Sequence, residues 1–196
     1  MARANRVREI WAEGKAVINS WCGIPSSFSA EVMGYAGWDS LVVDMQHGMI
    51  DYQVMVTMLQ GISCTNTVPM VRVPWNDPAH IQKALDNLDD ILSVKGLDAV
   101  YIGPSDLSIS LGYPPGGDKP DEWMMQALKK VLDACKRHKV QPGLHCGAAA
   151  YAKKAIEMGF TFVTVGGDTR FVTMGAAAAV AEMRDAPKPG ASSSPY

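Results

Sequence analysis

Alternating strand-like and helix-like segments predict an α/β protein, built from repeated βα units around a parallel sheet. Three observations carry that expectation. Short apolar runs such as Leu41-Val42-Val43, Val68 to Val73 and Ala99-Val100-Tyr101-Ile102 lack polar alternation, the pattern of strands buried on both faces. Stretches of helical periodicity separate them. Polar residues cluster just beyond the runs, where parallel α/β folds keep their chemistry. Repeated βα units imply right-handed crossovers, in either a barrel or a doubly wound sheet.

Taken in order, Val17-Ile18 and Trp21-Cys22 open the series, followed by a helix over 29–36. Leu41 to Val43 is the second strand, and Asp51 caps a helix with Val54, Met58 and Leu59 on one face. Val68 to Val73 is the third strand. Asp77-Pro78 supplies an N-cap and an N1 proline for a helical stretch reaching Val94. Asp86-Asn87, in the middle of that stretch, reads as a fresh helix start, a seam where two helices meet end to end.

Ala99 to Ile102 is the fourth strand, ending abruptly in Gly103-Pro104. After a Pro/Gly loop, Trp123 to His138 is an amphipathic helix, with Met124, Leu128, Val131 and Cys135 spaced by three and four. Val140 to His145 and Phe160 to Val165 are two further strands, separated by a helix near 149–158. A last helix spans 169–183. The reading is one domain over 1–185, with a disordered Pro/Ser/Gly tail over 186–196. Six strands are readable, whereas an eight-stranded barrel typically takes about 250 residues. Each βα unit needs roughly 30 residues, so a shortfall of two units matches the length.

Composition excludes several classes. The chain has 196 residues, 47% hydrophobic and 19% charged, enough to bury a core. A net charge of −2 argues against a nucleic-acid or anionic-membrane surface. Cys22, Cys64, Cys135 and Cys146 show no zinc-type spacing and suit a reducing cytoplasm. No apolar stretch approaches the ~20 residues of a membrane span.

The candidate site residues follow strands. Asp44 and His47 make a plausible base with its orienter, since a carboxylate on one imidazole nitrogen fixes the tautomer. A loop histidine in a structural hydrogen bond is the plainer alternative. Arg72 in an apolar strand needs an anion, either an ion-pair partner or a substrate carboxylate gripped bidentately. Asp106 is a candidate metal ligand or acid, with a helix N-cap as its competitor. Trp21 reads first as core, and His80 and His138 as solvated. His145-Cys146 is discounted as a pair, because neighbours on a strand face opposite ways. The glycines of Val165-Gly166-Gly167-Asp168 fit a tight turn better than a phosphate cradle.

Five passages together resemble the class II, metal-dependent pyruvate aldolases, the 4-hydroxy-2-oxoheptanedioate and 2-dehydro-3-deoxy-sugar-acid aldolase family. They are Trp21 to Glu31, Val43-Asp-Met-Gln-His-Gly48, Val71-Arg-Val-Pro-Trp-Asn-Asp-Pro78, Asn87 to Ser108 with its Gly-Pro-Ser-Asp-Leu-Ser motif, and Phe160 to Asp168. The resemblance implies a TIM-type (β/α) barrel in the cytoplasm, assembled as a trimer or hexamer and using Mg²⁺, Mn²⁺ or Co²⁺. It implies cleavage of 4-hydroxy-2-oxo acids to pyruvate and an aldehyde, and the reverse addition, through a metal-stabilised enolate. By matching position, His47 with Asp44 would be the base and Arg72 would hold the pyruvate oxygens. Asp106 would bind metal, the Ser105 backbone the pyruvate carboxylate, and Trp21 would line the site. Asp86 resembles an acidic residue that acts from a neighbouring subunit.

The chain departs from the family pattern at one place. The family's second metal ligand is a glutamate in a Gln-Ile-Glu-Thr stretch, and no such stretch is present. The two absent βα units are the ones that would hold it, which puts an internal deletion near Leu85-Asn87. Two other readings compete: a catalytically silent member with an assembly role, and an acyl-CoA lyase or 2-oxo acid decarboxylase on the same scaffold.

Overall fold

The computed structural model describes residues 5–73, 85–118 and 121–184. The Asp77-Pro78 cap, His80, Gln82 and the tail over 186–196 lie outside them. The chain divides into two compact units, one formed by Met1–Asn19 with Trp75–Val165, the other by Ser20–Pro74 with Gly166–Tyr196.

In chain order the elements are α1 (Arg6–Ala12), β1 (Val17–Cys22), α2 (Ser27–Gly34), β2 (Ser40–Asp44), α3 (Tyr52–Ser63) and β3 (Val68–Arg72). There follow α4 (Leu88–Leu92), β4 (Ala99–Ile102), α5 (Pro104–Ser110), α6 (Glu122–His138), β5 (Gln141–Cys146), α7 (Ala149–Met158), β6 (Phe162–Gly167) and α8 (Asp168–Met183). All six expected strands are present, and β2/β3, β4/β5 and β5/β6 pair in parallel.

In the first unit the strand order is β1-β6-β5-β4. Leu144, Cys146 and Val163 point to one side and pack with Leu128, Ala155 and Phe160. A second cluster joins Leu92 to Val131, Ala134, Cys135 and Val140. The expected amphipathic stripe of α6 is therefore the face that α4 and the sheet cover. His138, expected to be solvated, is half-buried and paired at the surface: its Nε2 lies 2.7 Å from Asp89 Oδ1, which Arg137 Nη2 also meets at 2.8 Å.

Two helices of this unit went unread in the sequence. Asn5 caps α1, and Trp11 anchors it by donating Nε1–H to the Thr161 carbonyl at 2.9 Å. α5 begins directly after β4 with Gly103 as N-cap and Pro104 at N1. Asp106 thus sits in the first turn, not at the cap, which corrects the N-cap alternative.

In the second unit the order is β3-β2-β1-β6. Cys22, Leu41, Val43, Met55, Met58 and Ile62 form its core. Ser26 and Asp51 cap α2 and α3 through side-chain oxygens, accepting from Ser29 N and Val54 N. The two helices approach closely because Gly61 carries no side chain: a Cβ there would come within 2.7 Å of the Ser27 carbonyl oxygen.

Candidate active site

In the second unit the parallel register places Asp44 at the end of β2 directly opposite Arg72 at the end of β3. Their side chains form a two-point ion pair, Arg72 Nε to Asp44 Oδ1 at 2.8 Å and Nη2 to Oδ2 at 2.5 Å. Fork-to-carboxylate geometry of this kind is the strong form of the interaction. The pair lies largely out of solvent, with side-chain exposures of 29% for Arg72 and 10% for Asp44. The guanidinium carbon also stands 4.3 Å from the Trp21 ring centroid, a cation–π contact from the end of β1.

Asp44 Oδ1 accepts two more bonds, from the backbone N–H of Gln46 at 3.0 Å and of His47 at 3.2 Å. Burial pushes the Asp44 carboxyl up, but Arg72 and these two amides outweigh it and hold the group below the usual carboxylate range. Asp44 therefore stays ionised at neutral pH. Its contacts aim Arg72 and fix the His47 backbone.

Asp168 makes a second constraint that the sequence did not reveal. Almost fully buried, it accepts from Gly23 N at 2.9 Å, Ile24 N at 3.0 Å and its neighbour Thr169 N at 2.7 Å. The turn after Trp21-Cys22 is thereby fixed to the start of α8. Gly167 presses on the same segment, since a Cβ there would stand 3.3 Å from the Trp21 carbonyl oxygen. The paired glycines allow this close approach, with Gly166 at a left-handed φ of 57°.

In the first unit, Ser105 and Asp106 occupy the first turn of α5. The Asp106 carboxylate is half-buried and folds back over Gly103. Among the described residues it has no ion-pair or side-chain hydrogen-bond partner. Asp86 is exposed and pairs with Lys130 at 3.5 Å. No group of three or more His, Cys, Asp or Glu side chains comes together among the described residues. Asp106 by itself offers at most one protein ligand, so the described residues do not make a complete metal site.

Elsewhere in this unit Tyr101, His145, Thr164 and Asn19 form a hydrogen-bonded row. His145 and Cys146 do face opposite ways, Cys146 being fully buried. Burial raises the thiols of Cys22 and Cys146 to about 12 and that of Cys135 to about 11, which leaves all three inert near neutral pH.

A parallel βα protein with charged groups at its strand ends is the architecture of the TIM-type barrel families. Comparison with known proteins agrees. The family model for HpcH/HpaI aldolase/citrate lyase matches residues 81–174. The chain is 26% identical to the hydroxypyruvate/pyruvate aldolase of Rhizorhabdus wittichii over 248 aligned positions, covering 92% of this chain and 99% of that one. It is also 26% identical to the 4-hydroxy-2-oxo-heptane-1,7-dioate aldolase of Salmonella dublin, over 90% of this chain and 94% of that one. The solved structure of an HpcH/HpaI aldolase/citrate lyase family protein from Burkholderia cenocepacia J2315 matches in fold. Its TM-score is 0.81 at 21% identity, covering 92% of this chain and 100% of that chain. The chain is thus similar to the HpcH/HpaI aldolase/citrate lyase proteins in both sequence and fold.

Proposed function

We propose that this protein is a carbon–carbon lyase that releases pyruvate and an aldehyde from 4-hydroxy-2-oxo acids, and runs the reverse addition. The observation that carries the reading is the Arg72 guanidinium, fixed at a strand end by Asp44 below and Trp21 alongside. Breaking the bond beside the 2-oxo group leaves negative charge on the pyruvate oxygens. A preorganised cation stabilises that charge without reorganising at the moment of reaction. Asp44 occupies two of the five guanidinium N–H donors, and the others are the hydrogen-bonding capacity that grips the 2-oxo acid.

His47 serves as base for the 4-hydroxyl proton, acting through water, with Asp44 holding its backbone. The Ser105 backbone meets the pyruvate carboxylate, Trp21 lines the site, and Asp86 acts toward the site of a neighbouring copy. Asp106 is the protein ligand for Mg²⁺, Mn²⁺ or Co²⁺. A bound divalent ion draws electron density from the 2-oxo carbonyl, which eases cleavage. The chain works as a homo-oligomer in the cytoplasm. Among the described residues no helix is long and apolar enough to cross a membrane.

Relative to the family, the chain lacks two βα units at the seam between Leu85 and Asn87. One number supports this: the Rhizorhabdus aldolase aligns over 248 positions, more than the 196 residues present here. The missing stretch takes the second metal-binding carboxylate with it. That favours a second reading, a member whose catalysis is impaired and whose role is in assembly.

Deuterium exchange into the pyruvate methyl group, followed by NMR in D₂O with Mg²⁺, separates the two. Metal-dependent exchange that Arg72→Ala abolishes supports the lyase. An intact chain that catalyses no exchange at any metal concentration overturns it in favour of the assembly role. Release of pyruvate from a 4-hydroxy-2-oxo acid, coupled to a reductase, then separates aldol cleavage from thioester-lyase or decarboxylase chemistry.

A further inference from the structure

We propose that Asp118 is a positioning residue. It straps the loop between α5 and α6 to the β5–α7 turn, and the strapped loop holds the first turn of α5 in the orientation that meets substrate. The proposal rests on the aldolase reading and concerns the first unit alone.

Both oxygens of the half-buried Asp118 carboxylate are engaged by one turn. Oδ1 accepts from Gly147 N at 2.9 Å and Oδ2 from Ala148 N at 2.8 Å, 29 and 30 residues further along the chain. These amides follow β5 and precede α7. A helix start carries unpaired N–H groups, and a carboxylate is favoured there by charge-assisted bonding and by the helix dipole.

Ala148 is itself the N-cap residue of α7, and its side chain makes no capping bond. A serine or aspartate at that position would cap the helix locally. The carboxylate comes instead from a distant loop, at a residue with φ 55°, a backbone conformation that side chains disfavour. Capping α7 does not require this arrangement, whereas tying down the loop does.

The other end of the loop rests on α5. Tyr113 N donates to the Ser108 carbonyl at 2.9 Å. The buried Ser108 hydroxyl donates to the Pro104 carbonyl at 2.7 Å, with the Gly116 carbonyl 3.4 Å away. Gly117 passes beside Pro104, where a Cβ would stand 3.9 Å from the proline Cβ. The Tyr113 ring stacks on Trp123 at a centroid distance of 4.0 Å, which fixes the loop to the start of α6.

Pro104 is buried and directly precedes Ser105 and Asp106. With seven residues and no side-chain cap of its own, α5 takes its order from what packs on it. In the lyase reading the Ser105 backbone meets the pyruvate carboxylate. A displaced turn weakens that contact in the ground state and the transition state alike, which raises KM and leaves kcat little changed.

Two variants separate the strap from helix capping. Asp118→Asn keeps the size of the side chain but sets an NH₂ donor against one of the two amides. Adding Ala148→Ser gives α7 a local cap without restoring the strap. In deuterium exchange into pyruvate, both variants are expected to raise KM about fivefold with kcat nearly unchanged. Ala148→Ser is expected to recover the melting temperature lost in Asp118→Asn, but not KM. Recovery of both overturns the proposal, because the carboxylate then only caps α7. An unchanged KM in Asp118→Asn overturns it as well.

Amide hydrogen exchange reads the strap without catalysis. The Leu107 N–H, bonded to the Gly103 carbonyl, and the Tyr113 N–H are expected to exchange about fivefold faster in both variants. Faster exchange confined to Gly147, Ala148 and α7 overturns the proposal. If wild type incorporates no deuterium into pyruvate, the aldolase reading fails and the strap is judged on amide exchange alone, by the same two outcomes.

Discussion

At the scale of single residues, Asp44 and Arg72 are coupled in stability as well as in geometry. Removing one partner of a largely buried pair leaves the other charge uncompensated, which is the costly way to break it. Arg72 retains some exposure, so solvent softens the loss. Arg72→Ala is therefore expected to destabilise the chain by about 1–3 kcal/mol at pH 7, measured by urea unfolding. The pH dependence has a definite sign. The native Asp44 carboxyl is held below its ordinary value, so its contribution is complete above the unfolded pKa of about 4. It is lost as pH falls through the depressed native value. In Arg72→Ala burial acts with only two amides against it, so that acid-labile contribution shrinks. An unchanged difference between wild type and variant from pH 7 to pH 3 would contradict this account.

The same scale shows what was legible. Asp44, Arg72 and Asp106 stand out in the sequence because charged groups at the ends of apolar runs need partners, whereas Trp21 reads first as core. That Asp44 and Arg72 are each other's partner was not legible. They lie 28 residues apart, and only the register of β2 on β3 sets them opposite. Asp168 likewise looked like one more strand-end carboxylate, whereas its oxygens are engaged by backbone amides that no periodicity reveals.

At the scale of elements, local rules worked where a side chain makes the signal. Asp51 caps its helix as read, whereas the Ser26 cap, which starts α2 two residues before the expected 29–36 helix, goes unread. The local rules failed at α5, because Gly103-Pro104 reads as a breaker, although proline at N1 begins a helix as readily as it ends one. The end of α6 carries a correctable strain. Lys139 takes the left-handed C-cap conformation at φ 58°, ψ 33°, a position that ordinarily selects glycine. A side chain there costs about 1 kcal/mol. Lys139→Gly is expected to raise the melting temperature by about 2–4 °C, as a change of about 1 kcal/mol does for a chain of this size. Calorimetry checks it, and a fall in melting temperature would mean that the Lys139 side chain contributes contacts outweighing the strain.

At the scale of the whole molecule, the second unit presents two apolar helix faces to solvent. On α2 and its C-cap, Phe28, Val32 and Tyr35 recur at spacings of four and three, and all are more than half exposed. On α8, the eleven residues from Phe171 to Ala181 carry no charge, and Val172, Met174 and Met183 stand in water. These six side chains together expose roughly 800 Å² over the two faces. That area is about one partner's share of a standard interface. We propose that a second copy of this chain covers these faces. Light scattering on the eluted protein is expected to give a mass above one chain. Phe28→Glu with Met183→Glu should shift it toward the monomer, because each variant places a charge where it would be desolvated on association. Neither position belongs to the described core, so secondary structure measured by circular dichroism should not change. A monomeric wild type would remove the second copy as the occupant, and an unshifted oligomer in the double variant would place the contact on another face.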